Sequence, residues 1–326
     1  EKSYTIPKNK SKFHFALPGS TQGFKISKDT DKNCSVSLNN INFQASRALE
    51  LSFAKLSKNK NIIISTPTFI NTDVLKMRTY DLMATPLIYP GQKLKLKIFS
   101  GNNNNCNLDI FLRIKYYGDN NKVLNKDSNK FLLRRGSSTL LKWSIPECNL
   151  QPISEICIVA KSKKNKGKGK IIIDYLTWEG SPNLTLKRPK ISSDFWHRAW
   201  INGADNFLKD SKYSYTIAQN SGLGLISYGN RDWKNYKVIS TIIPHLGKYF
   251  GLIARFQGMR RFYAVRLNYI NQLIEIIRVF DNKISILKSA KLNFNLEEKI
   301  RINFEVSNNK ISAKVKEKSI KISDNS

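Results

Sequence analysis

The sequence predicts an all-β protein made of two β-sandwich domains, one jelly-roll-like and one concanavalin-like. Three observations carry that expectation. Apolar and polar residues alternate over short runs: Leu94, Leu96 and Ile98 against Lys93, Lys95 and Lys97, and Leu108, Ile110, Leu112, Ile114 and Tyr116 against Asp109, Arg113 and Lys115. A strand turns every second side chain to the same face, so this period of two marks half-buried strands. Turn-rich spacers such as Gly101-Asn102-Asn103-Asn104-Asn105 and Gly118-Asp119-Asn120-Asn121 punctuate the runs. No segment sustains helical periodicity, and many short strands at close spacing are the pattern of a sandwich or jelly roll.

Taken in order, residues 48–54 and 61–65 are β-prone, and the two alternating runs follow. An apolar strand over 171–178 stops at Glu179-Gly180-Ser181-Pro182. Between Pro182 and Pro189 the pattern breaks, which divides a jelly-roll-like module over 1–185 from a concanavalin-like module over 190–326. After the aromatic stretch Phe195-Trp196-His197-Arg198-Ala199-Trp200, strands are expected over 213–219, 223–227, 236–243 and 273–279. The final meander is the clearest. Ile300, Ile302, Phe304 and Val306 face one way against Arg301, Asn303 and Glu305, an Asn308-Asn309 turn leads to Ile311, Ala313 and Val315, and a Lys-rich turn leads to Ile320 and Ile322. The meander ends on an exposed edge, so truncation at the C-terminus is the expectation.

A length of 326 residues suits two domains, and 40% hydrophobic content with five Trp argues for a globular chain. No run of about 18 apolar residues occurs, so no membrane span is expected. The chain starts at Glu1 without a charged-then-apolar leader; no signal peptide is expected, and the cytoplasm is the expected location. The net charge of +31 raises the question of a polyanion partner, but Lys is scattered along the chain. Only 161–170 (Lys-Ser-Lys-Lys-Asn-Lys-Gly-Lys-Gly-Lys) forms a dense run, and its glycines and apolar flanks predict an exposed hairpin loop. Cys34, Cys106, Cys148 and Cys157 lack Cys-x-x-Cys spacing, and His14, His197 and His245 form no ligand pair, so neither a metal site nor a catalytic triad is expected. Gly222-x-Gly224 is followed by a strand where a dinucleotide fingerprint needs a helix, and is set aside.

The candidate ligand-binding residues are Arg255, Gln257, Arg260 and Tyr263. Arg255 and Gln257, two apart, share one face of a strand whose Leu252, Ala254 and Phe256 face the core. A guanidinium makes paired contacts to diols, carboxylates or phosphates, and Gly258 allows close approach. The competing reading pairs Arg255 with Asp232 and gives Arg260-Arg261 to a hairpin end. Asp232 and Trp233 read as a turn cap and a core plug. Trp178 reads as core, Trp196 and Trp200 as residues at the domain boundary, and Glu297-Glu298 as solvated. Asp174 reads as a buried or rim carboxylate near which a structural calcium could sit. No catalytic residue is assigned.

Two blocks carry a family resemblance. One comprises Gln22-Gly23-Phe24, Ser65-Thr66-Pro67-Thr68-Phe69, residues 80–86, Tyr89-Pro90-Gly91-Gln92 and residues 173–182. The other comprises Gln219-Asn220-Ser221-Gly222-Leu223-Gly224-Leu225-Ile226, Gly229-Asn230-Arg231-Asp232-Trp233-Lys234-Asn235-Tyr236 and residues 251–263. Together they resemble the two β-sandwich modules that follow the catalytic domain in large bacterial members of the ADP-ribosylglycohydrolase family, and the second block is also similar to laminin-G-like sandwiches. The resemblance implies a non-catalytic carbohydrate- or ADP-ribose-binding or scaffolding region, with a helical catalytic domain as partner in cis or in trans. The family's divalent metals belong to that helical domain; no cofactor is expected in this segment. A glycoside hydrolase with carboxylates on the second sandwich is the alternative, and a nucleic-acid-binding protein, suggested by charge alone, is a weaker one.

Overall fold

The computed structural model describes residues 11–68, 85–187, 195–208, 214–230 and 233–325. Asp232, Phe69 and most of the 80–86 piece lie outside them. The chain forms two compact units: Glu1–Ile201 with Leu208–Thr216, and Asn202–Phe207 with Ile217–Ser326. Nearly every element is a strand; the described exceptions are a single 3-10 turn, Asp119–Asn121, and a four-residue helix, α1 (Phe195–Arg198).

The first unit carries β1 (Ser11–Phe13), β2 (Lys25–Ile26), β3 (Ser35–Phe43), β4 (Ser46–Leu56), β5 (Asn61–Pro67), β6 (Lys93–Ser100), β7 (Leu108–Tyr117), β8 (Val123–Asp127), β9 (Phe131–Leu133), β10 (Ser138–Ser144), β11 (Ile153–Ser162) and β12 (Gly167–Glu179). They form two antiparallel sheets, ordered β10-β6-β12-β4-β3 with β1 on β12, and β2-β5-β11-β7-β8 with β9 on β7. One core holds them together. Leu49, Leu51 and Phe53 of β4, Leu94, Leu96 and Ile98 of β6, and Ile171, Ile173 and Leu176 of β12 meet Ile62, Ile64, Leu108, Ile110, Leu112, Ile114, Ile156 and Ile158 of the other sheet. Burying this many aliphatic side chains, each contributing roughly 1.5–3 kcal/mol, is what commits the alternating runs to a sandwich. Trp178 belongs to this core. The 161–170 run is mostly strand, not loop: Lys161 and Ser162 end β11, Lys168 and Lys170 lie on β12, and only 163–166 turn.

Four three-residue strands follow α1: β13 (Ile201–Gly203), β14 (Asn206–Leu208), β15 (Thr216–Ala218) and β16 (Leu225–Ser227). The rest of the second unit is β17 (Tyr236–Ile242), β18 (Tyr249–Gly258), β19 (Arg261–Asn268), β20 (Leu273–Phe280), β21 (Lys283–Lys291), β22 (Ile300–Ser307), β23 (Lys310–Val315) and β24 (Lys318–Ser323). Two four-stranded antiparallel sheets result, β18-β19-β20-β21 and β17-β22-β23-β24. Val265, Leu267, Ile274 and Ile276 from one meet Ile300, Ile302, Phe304, Val306, Ile311 and Val315 from the other in a shared core. The β20–β21 hairpin turns on Asp281 and Asn282 with φ of 46° and 69°, the left-handed pair that matches strand twist.

One expectation fails at β18. Leu252 and Ala254 pack into the shared core, but Phe256 does not. The pairing with β19 slips between Ala254 and Gly258, and Arg255 sits at φ 50°. That bulge reverses the alternation. Phe256 joins Ile253 on the opposite face of the sheet, with Leu225, Phe262, Ala264, Ile277 and Val279.

Candidate functional site

The outer face of the first unit's β10-β6-β12-β4-β3 sheet is the candidate site. Side chains facing the core alternate with those facing away, so the outer positions are Ser37, Asn39, Ile41 and Phe43 on β3, Ala48, Glu50 and Ser52 on β4, Lys170 and Ile172 on β12, Lys93, Lys95, Lys97 and Phe99 on β6, and Leu140 and Lys142 on β10. The register places Asn39, Glu50, Ile172 and Phe99 in one row across the sheet. Phe43 therefore stands three strands and four residues from Phe99, ~14 Å across and ~13 Å along a flat sheet. Their rings nevertheless meet edge to face with centroids 4.9 Å apart. Strands that far apart bring side chains together only if the sheet curls, so this face is concave. Ala48, on the same face, is fully buried.

A bulge in β12 furnishes the centre of the hollow. Pairing with β6 shifts between Ile173 and Tyr175. Ile173 and Leu176 both stay in the core, so the two residues between them, Asp174 and Tyr175, both project outward, beside Lys97. Asp174 is half-buried; desolvation raises its pKa, and the nearby Lys97 charge opposes that rise. Burial also raises the Tyr175 phenol, with Asp174 adding to the rise. Lys97 bonds the Ser138 hydroxyl at 3.1 Å and lies 4.9 Å over the Phe99 ring, a cation–π contact. Glu50 accepts from Lys170 at 3.0 Å and from the Ser52 hydroxyl at 3.0 Å, and Glu179 pairs with Lys95.

At the end of the face near Lys170 opens a cleft of about 700 Å³ lined by Ser35, Ser37, Ser52, Asn102, Asn103 and Lys168, among others. The Asn-rich loop forms one wall and is held rigidly. Asn104 is 1% exposed. Its Nδ2 donates to the Ser100 Oγ at 2.8 Å and the Lys170 carbonyl at 2.9 Å, and its Oδ1 accepts from the Lys170 N–H at 2.7 Å. Gly169 makes room: a Cβ there would stand 2.2 Å from Asn104 Oδ1. Aromatic rings, hydroxyls, amides and paired charges on a concave sheet can stack on and hydrogen-bond a polyhydroxylated ligand.

The four residues singled out in the sequence lie in the second unit. Arg255 is half-buried; its Nε donates to the Lys234 carbonyl at 2.9 Å, its guanidinium to the Asn308 carbonyl at 2.6 Å, and its backbone N–H to the Tyr236 hydroxyl at 2.6 Å. Tyr263 donates to Asp324 at 3.0 Å, which also accepts from Arg278. Gln257 is exposed at the end of β18, and Arg260 is exposed in the Met259-Arg260 turn that joins β18 to β19. The bulge thus prevents a single ladder of Arg255, Gln257 and Tyr263. Among the second unit's carboxylates, Glu275, Asp281 and Asp324 each pair with an arginine. Trp233 packs on Tyr236 beside Gly229. Trp196 and Trp200 both pack on Tyr215 within the first unit. Among the described residues no cluster of three or more His, Cys, Asp or Glu is placed to hold a metal ion, and no helix is long and apolar enough to cross a membrane. All four cysteines are free.

No family model matches the chain, and no curated protein matches it. Solved structures that resemble it include a carbohydrate-binding module of the β-sandwich superfamily described as promiscuous in specificity (14% identity, 52% of this chain, 62% of that one, TM-score 0.39). Others are the CBM22-1 xylan-binding domain from Paenibacillus barcinonensis Xyn10C (11%, 54% and 94%, TM-score 0.35) and the mannan-recognising module TmCBM27 (11%, 52% and 95%, TM-score 0.33).

Proposed function

We propose that the first unit is a non-catalytic carbohydrate-binding module whose ligand lies along the concave outer face of the β10-β6-β12-β4-β3 sheet. The observation that carries this reading is the meeting of Phe43 and Phe99 across three strands, which makes an aromatic-lined hollow next to the outward Asp174–Tyr175 bulge. Tyr175 offers a face to a sugar ring, as does Phe99 on the side away from Lys97; Asp174, Ser138 and the cleft's Ser37 and Asn102 offer partners to hydroxyls, and the Lys97 charge lies near Asp174. Glu50 and Glu179 are already ion-paired, which suits binding better than hydrolysis. The resemblance of residues 219–226 and 251–263 to modules of ADP-ribosylglycohydrolases supports an accessory role for the second unit beside a helical catalytic domain, with an ADP-ribose-like group as a further ligand to test. Calorimetric titration with a panel of soluble glycans and ADP-ribose tests the reading. Binding that is lost in Tyr175→Ala with thermal unfolding unchanged is the expected result; no heat from any glycan would refute it.

A further inference from the structure

The same face carries a lysine cluster, of which the reading above uses only Lys97. Lys95 and Lys142 lie directly opposite each other in the β6–β10 register, with Lys93 and Lys97 two residues to either side on β6. Like charges directly opposite on a sheet are destabilising, and residues two apart on a strand are ~6.6 Å apart, so the four lysines rise from one small patch of the sheet. With Lys168 of the cleft, the face holds six lysines (93, 95, 97, 142, 168, 170) against three carboxylates (Glu50, Asp174, Glu179), a surplus of three positive charges. Lys95 pairs with Glu179 and Lys170 with Glu50; Lys93 and Lys142 have no ion pair among the described residues. The outer face of the opposite sheet is arranged differently. There Arg113 pairs with Asp127, Lys115 with Glu155 and Asp29, and Lys163 with Asp109. Lys25 and Lys161 on that face have no ion pair among the described residues, but they stand apart on β2 and β11, so what distinguishes the lysine patch is its density, four lysines on two adjacent strands.

We infer that the hollow takes an acidic polysaccharide, a polymer whose carboxylate or sulfate groups sit on the Lys93–Lys95–Lys97–Lys142 patch while its sugar rings lie toward Phe99 and Tyr175. This rests on the carbohydrate-binding reading and names the ligand class within it. Two features favour a glycan over a nucleic acid. Asp174, Glu50 and Glu179 are interleaved with the lysines, where they accept from sugar hydroxyls but would repel a continuous phosphate backbone. The cations are all lysines, point charges suited to scattered anionic groups, whereas planar bidentate phosphate recognition favours arginine.

The test titrates the full chain with polygalacturonate, a neutral β-glucan and single-stranded DNA at low and high salt. The expected result is tightest binding to polygalacturonate, weakened about tenfold by raised salt, and weakened roughly three- to tenfold in Lys93→Gln/Lys142→Gln. Lys93→Arg/Lys142→Arg, which keeps the charge, should bind the acidic polymer to within about twofold of the parent chain. Preference for the neutral glucan, or salt-independent binding to both glycans, would overturn this inference and leave the carbohydrate reading standing. Preference for DNA, or binding to neither glycan, would overturn the inference, and the carbohydrate reading would fall with it only if the whole glycan panel also gave no heat.

Discussion

Gly169→Ala is the sharpest probe of how the cleft is built. A methyl group at 169 would stand 2.2 Å from Asn104 Oδ1 and 2.4 Å from its Cγ, so the amide must leave. Leaving breaks three hydrogen bonds, at 2.8, 2.9 and 2.7 Å, around a side chain that is 1% exposed. At about 1 kcal/mol each, with a further cost for buried groups left unpaired, the loss is about 2–4 kcal/mol. Asn104→Ala removes the same bonds and should cost about as much. The double variant is the informative one: with the amide gone the new methyl has space, so the two losses should not add, and a coupling of about 2–3 kcal/mol is expected. Urea unfolding followed by tryptophan fluorescence reads this unit well, since Trp143, Trp178, Trp196 and Trp200 all lie in it. Additive losses would show that Gly169 and Asn104 act independently and would refute the wedge argument.

Three other outcomes follow from the same geometry. Asp174 has a raised pKa in the fold, so the folded state binds its proton more tightly than the unfolded chain, and the carboxyl's contribution to stability falls as pH rises. Asp174→Asn should therefore raise Tm at neutral pH, lose that gain near and below pH 3.8, and weaken glycan binding, which calorimetry and differential scanning can read side by side. Arg255→Ala orphans the Lys234 and Asn308 carbonyls and should destabilise the second unit by about 1–2 kcal/mol without changing glycan affinity; an unchanged unfolding midpoint would count against that structural role. Burial pushes the Cys148 and Cys157 thiols up to about 12, so their thiolate fraction at pH 8 is about a thousandfold below that of an ordinary exposed thiol. Alkylation followed by mass spectrometry should leave both unlabelled until the chain is unfolded.

The core was legible because its signal is local. Leu94, Leu96 and Ile98, or Ile300, Ile302 and Phe304, declare their inward face two residues at a time, and the structure buries all six. β3 was harder: its outer positions are Ser, Asn, Ile and Phe, and Asn40, which lies on the inward side, donates to the Phe15 and Ser20 carbonyls, so the period of two is blurred. Two bulges defeated alternation outright. At Arg255 the reversal sends Phe256 to the other face, and at Asp174 it turns two consecutive side chains outward. Neither can be read from hydrophobicity, because a bulge is imposed by the pairing strand. The candidate hollow was hidden for a different reason. Phe43 and Phe99 are 56 positions apart in sequence, and only the curl of the sheet brings them together. Their lysine neighbours looked like an ordinary solvated edge, and the mutual register of Lys95 and Lys142 is a property of strand order.

The proposed sugar site is the concave face of the first unit. Isothermal titration of the glycan bound best by the parent chain, repeated with Phe99→Ala, Tyr175→Ala and, as a control in the other unit, Gln257→Ala, tests it most directly. Phe99→Ala and Tyr175→Ala should each weaken binding by about tenfold or more, the effect expected for losing one aromatic stacking face, while Gln257→Ala binds as the parent does. Loss of binding in Gln257→Ala, with the Phe99 and Tyr175 variants unaffected, would contradict it and move the site to the second unit.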